Sequence, residues 1–173
     1  MTLFRRFVLL LSLAFWQGGF MFYGGVVVPV GASVLGSETE QGFITQSVTN
    51  YLNVAGVVCV TVWGVTLAFD VRRSSRLGRL CWAIWLGIAL GLGVLIGLHL
   101  IMDRGLDSAG HAILDEARFL RLHEAYITTS TVQWLLCLAL LGLTLHAWRS
   151  SDRVSSNGGH SISPDRILDR AGP

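Results

Sequence analysis

Two histidines, His99 and His123, are the most chemically versatile side chains in the apolar part of this chain, and they end neighbouring hydrophobic runs at similar depth. Imidazoles that face one another are what a haem iron or another transition metal takes as ligands. His111 can join them from the intervening segment, with Asp115 at i, i+4 from it and Glu124 next to His123. His99 and His123 are therefore candidate cofactor ligands, and His99, His111 and His123 a candidate metal set, in a haem- or metal-dependent membrane oxidoreductase. Against this reading, the chain has no HExxH, no CxxCH and no methionine-rich copper pattern. A histidine pair near a membrane surface more commonly serves as a hydrogen-bonding feature.

Uncharged polar residues share the same depth. Gln46, Asn50 and Asn53 repeat at i, i+4 and i+7, while His123, Tyr126, Ser130 and Gln133 form about one face of a later helix. Gln17 lies near the middle of the first apolar run. A polar group in hydrocarbon needs a partner or a purpose. In one reading these groups cross-link helices, each bond contributing on the order of 0.6–2 kcal/mol. In the other they line a cavity for a small polar solute, an ion, a lipid headgroup or a cofactor. The preferred reading is a non-enzymatic membrane protein, a structural or assembly factor or a small-solute or ion handler, with the cluster Gln17, Asn50, Asn53, His99, His123, Tyr126 and Gln133. Cys59, Cys81 and Cys137 have neither CxxC nor zinc spacing and read as buried thiols.

The elements that position these residues are four apolar runs, each long enough for the roughly 20 residues that cross a bilayer. They cover about residues 7–30, 47–69, 80–102 and 123–148. With 52% hydrophobic and 14% charged residues, the chain has too little charge for an ordinary soluble domain. The expected fold is all-α, an antiparallel four-helix transmembrane bundle with a short amphipathic interfacial helix between spans three and four. That helix is expected from the spacing of Leu106, Ile113, Leu114, Ala117 and Leu120, with Asp107 or Ser108 as its N-cap, either lying on the outer surface by itself or running into the fourth span. Residues 31–46 read as a short outer loop, and 151–173 as a disordered tail without apolar periodicity.

Arginines set the expected orientation. Arg5 and Arg6 precede span one, Arg72, Arg73, Arg76 and Arg79 join spans two and three, and Arg149 and Arg153 follow span four. The positive-inside rule then places both termini in the cytoplasm of a bacterial cytoplasmic membrane. The first run, about 24 residues in length, exceeds a signal-peptide core of 7–15 and reads as a retained anchor. The net charge of +2 is a topology signal, and no nucleic-acid partner is expected. Gly87 with Gly91 and Gly93 with Gly97 offer close approach to two neighbours, within the chain, in a homo-oligomer or in a membrane-protein partner. Pro29 is expected to kink or end span one.

Three stretches, FYGGVVVPVG (Phe22 to Gly31), QGFITQSVTNYLN (Gln41 to Asn53) and LHEAYITTSTVQW (Leu122 to Trp134), resemble an uncharacterised four-span bacterial membrane family of planctomycete-like genomes. More distantly, the layout is similar to the domain-of-unknown-function group that contains an animal membrane protein linked to platinum-drug resistance. The resemblance implies a four-helix membrane fold and no activity. Copper-resistance D-type proteins and four-span haem-linked protoporphyrinogen oxidases share the general architecture by analogy, without matching residues.

Overall fold

The computed structural model describes residues 2–70, 75–107, 112–113 and 115–158. Four helices are long and apolar enough to cross a membrane. The first, α1 (residues 2–35), is one continuous helix built of three α-helical segments separated by π-helical turns at Ala14–Gly18 and Tyr23–Val27. It is followed by α2 (Glu38–Asp70), α3 (Arg76–Asp103) and α4 (Glu116–Gly158). A two-residue antiparallel pair, β1 (Leu106–Asp107) with β2 (Ala112–Ile113), links α3 to α4. The chain is thus an all-α multi-pass membrane bundle, and α3 and α4 form its most extensive helix pair. At about 1.5 Å per residue, even the 28 residues of α3 reach roughly 42 Å, beyond the ~30 Å hydrocarbon layer.

Turn chemistry explains why the helices outrun the apolar runs. Gly36 takes a left-handed φ of 65° and donates its N–H to Ala32 O at 3.0 Å, closing α1. Ser37 immediately caps α2 by accepting from Glu40 N at 3.2 Å. The outer loop expected over residues 31–46 therefore shrinks to a Gly36–Ser37 turn. Ser75 caps α3 in the same manner, accepting from Gly78 N at 2.9 Å.

The helix expected between spans three and four begins later than expected and runs into span four. Asp115, rather than Asp107 or Ser108, caps the helix by accepting from Arg118 N at 2.9 Å. Everything from Glu116 onward is one helix with span four, because no glycine or proline interrupts residues 116–141. At the other end α4 continues to Gly158, so the expected tail begins later than residue 151. Two bonds from Arg6 to Asp152, at 2.8 and 3.0 Å, hold this added helix against α1. Residues 159–173 lie outside the described residues.

Pro29 does not end α1. A proline inside a helix loses one backbone bond and crowds the preceding turn. Here the π turn over Tyr23–Val27 comes directly before it and opens that turn, and the helix runs on to Leu35.

The core is a column of Leu9, Leu13, Trp16, Cys59, Trp63, Leu67, Ile88, Leu92, Cys137 and Leu140. Two glycines on α2 seat its indoles: a Cβ at Gly56 would lie 2.8 Å from the Trp16 ring, and one at Gly64 would lie 2.8 Å from Trp85. Gly87 and Gly91 of α3 face Leu136 and Gln133 of α4, whereas Gly93 and Gly97 have no described neighbour within 4 Å. Only the first of the two expected small-residue pairs is thus used within the described bundle. The outward faces remain apolar, with Phe15 71%, Phe69 73% and Leu90 63% exposed, as lipid-facing surfaces require.

Candidate functional site

Polar side chains from three of the four helices meet past mid-depth. Gln17 of α1, Asn53 of α2, and Tyr126, Ser130 and Gln133 of α4 line one cavity, whose apolar wall includes Leu92 and Leu95 of α3. All five of these polar residues stood out in the sequence. The cavity measures about 10 Å³, room for roughly one water molecule. Gln133 Nε2 donates to Ile88 O at 2.9 Å, fastening α4 to α3. Gln17 Nε2 lies 3.5 Å from Cys137 Sγ, a weak acceptor that ties α1 to α4. Among the described residues, Asn53 and Tyr126 meet no hydrogen-bonding neighbour, and both border the water-sized space.

Local helix geometry aims these groups. Gln17 lies within the first π turn of α1, and each π turn adds a residue that rotates the rest of the helix by about 100° relative to a regular one. Trp16 and Gln17 consequently both border the cavity, with Trp16 held by the missing side chain at Gly56.

One step further from the arginine-bearing end, His99 is 5% exposed. Its Nε2 lies 3.1 Å from Asn50 Oδ1 on α2 and 3.4 Å from Asp103 Oδ2 one turn along α3. Both neighbours are oxygens placed to accept from Nε2, so the ring is tied to α2 and to the last turn of its own helix. Asn50 therefore serves His99, while Asn53, three residues along, serves the cavity. His123 has different surroundings: it is exposed, and its ring stacks on Phe119 of its own helix at 6.2 Å between centroids. Among the described residues, no hydrogen bond or ring contact joins the two histidines, and no three His, Cys, Asp or Glu side chains converge as metal ligands. His111 lies outside the described residues.

Two polar assemblies went unanticipated in the sequence. Near the far end, Tyr23 OH donates to Thr45 Oγ1 at 3.2 Å and accepts from Gln41 Nε2 at 3.3 Å. A Cβ at Gly31 would collide with the Gln41 carboxamide, so that glycine makes room for the network. Reading Gly36–Ser37 as a tight turn would have revealed it, by placing Gln41 on a helix opposite Tyr23.

The second assembly is a clasp at the arginine-bearing end. Asp70 accepts from Arg5 and from Trp148 Nε1, the latter at 3.0 Å, joining α1, α2 and α4. The Arg6 guanidinium sits 5.0 Å from the Trp148 ring centre, and Arg5 sits 5.1 Å from Phe69. Trp148 and Trp85, which suit a membrane-interface belt by their depth, turn inward: Trp148 is 6% exposed and Trp85 Nε1 donates to Val60 O at 2.9 Å.

Compared with known protein families, with curated proteins and with solved structures, the chain matches none of them.

Proposed function

We propose that this chain is a non-enzymatic structural or assembly factor of a bacterial cytoplasmic membrane, with both termini in the cytoplasm. One observation carries this reading: polar residues of three helices converge on a space no larger than a water molecule, and two of them, Gln17 and Gln133, tie one helix to another across it. A translocation path or an organic-ligand site would require a cavity tens of times larger. The separate surroundings of His99 and His123 also favour hydrogen bonding over paired ligation. The arginines Arg5, Arg6, Arg76, Arg79, Arg149 and Arg153, all at the same end of the bundle, support the orientation. The resemblance to an uncharacterised four-span family fits as well, since it implies a membrane fold and no activity.

The test is purification of the full chain in mild detergent, followed by visible spectra of oxidised and reduced samples, metal analysis and native mass spectrometry. A colourless, folded preparation without haem or stoichiometric metal, and with no organic molecule bound other than membrane lipid, is expected. A haem spectrum or one metal per chain, lost in His99→Ala, would overturn the proposal. For orientation, Ser37→Cys should react with a membrane-impermeant thiol reagent in spheroplasts, and Ser151→Cys should not.

A further inference from the structure

We propose that the open groove between the N-terminal end of α1 and the C-terminal part of α4 binds the phosphate headgroup of an anionic membrane lipid. The groove has a volume of about 530 Å³ and is lined by Arg6, Leu145, Trp148, Arg149, Asp152 and Arg153. Its charge is unevenly compensated. Arg6 and Asp152 neutralise each other through two hydrogen bonds, at 2.8 and 3.0 Å, so the one carboxylate among the described residues lining the groove is already paired. Arg149 and Arg153 remain, and among the described residues neither has an acidic partner.

These two arginines are one helical turn apart on the same face, an arrangement of like charges that disfavours the helix unless an anion lies between them. Guanidinium groups match phosphate oxygens with two parallel N–H bonds, so two of them can hold a single phosphate from both sides. The apolar part of the groove points to a lipid as the source of that phosphate. Leu145, one turn of α4 back toward the hydrocarbon and 44% exposed, offers a surface for the start of an acyl chain. Basic pockets at the ends of membrane helices bind such headgroups in general. The other arginines at this end differ: Arg5 is committed to Asp70, and Arg76 and Arg79 lie on α3, outside the groove.

The experiment titrates the purified full chain with phosphatidylglycerol, phosphatidylcholine or inorganic phosphate, reading bound lipid by native mass spectrometry and the unfolding midpoint in parallel. Phosphatidylglycerol should bind and raise the midpoint, while phosphatidylcholine and inorganic phosphate should not. Arg149→Gln with Arg153→Gln should weaken phosphatidylglycerol binding about 30-fold, and Arg76→Gln with Arg79→Gln should leave it unchanged. Should the first double variant not fold, Arg153→Gln alone should weaken binding about fivefold. The proposal is overturned if both double variants lose binding equally, if the two lipids bind alike, or if inorganic phosphate binds as well as the lipid.

Discussion

The two ends of this bundle solve the problem of polar groups in a membrane by different means. At the arginine-bearing end, full charges are paired: Arg5 with Asp70, Arg6 with Asp152, and Trp148 joins the first pair through its indole N–H. In the other half, neutral amides and hydroxyls bond to backbone or to one another, as in Gln133 with Ile88 O and Tyr23 with Thr45. Water at the interface lowers the cost of ionic groups, so charge pairs suit the helix ends. Deeper in the hydrocarbon an ion would be far more costly to bury, and neutral hydrogen bonds tie the helices instead. His99 with Asp103 marks the far limit of the neutral region, within a turn of where α3 ends.

This contrast can be broken at its strongest point by Asp70→Asn, which strips Arg5 of its counter-charge and weakens the bond to Trp148. A loss of about 2–3 kcal/mol is expected in reversible unfolding in detergent, because a half-buried partner is left uncompensated. A loss as small as that of a surface substitution would mean that the clasp is ornamental. A smaller effect, about 1 kcal/mol, is expected for Gln133→Leu, which removes one interhelical bond and places an apolar group against the cavity. If Gln133→Leu proved as damaging as Asp70→Asn, the distinction between charged and neutral ties would fail. The smallest change belongs to His123→Ala, within about 0.5 kcal/mol, since the ring is exposed and stacks on Phe119 of its own helix. His99→Ala in the same assay should cost clearly more, and equal costs would contradict their separate environments.

Particular residues show how far the sequence could be read. The arginines and the four apolar runs located every helix, and the polar half was visible from Asn53, Tyr126, Ser130 and Gln133, all of which border the cavity. The same depth argument grouped Asn50 with Asn53, although these residues serve different partners. Asp70 drew no notice, because an acidic residue at the end of an apolar run looks like a boundary until Arg5 and Trp148 are seen to reach it.

The sequence by itself determined depth. Hydropathy and charge vary along the chain, and a helix converts position into height at about 1.5 Å per residue, so spans, charged end and polar half can be read off directly. Only the tertiary structure decided rotation about each helix axis. That rotation depends on which neighbour is present, on the seats that Gly56 and Gly64 leave for Trp16 and Trp85, and on the two π turns of α1. No pattern in a single chain encodes these mutual fits, and they are what bring Gln17, Asn53, Tyr126 and Gln133 to one cavity and send Asn50 to His99.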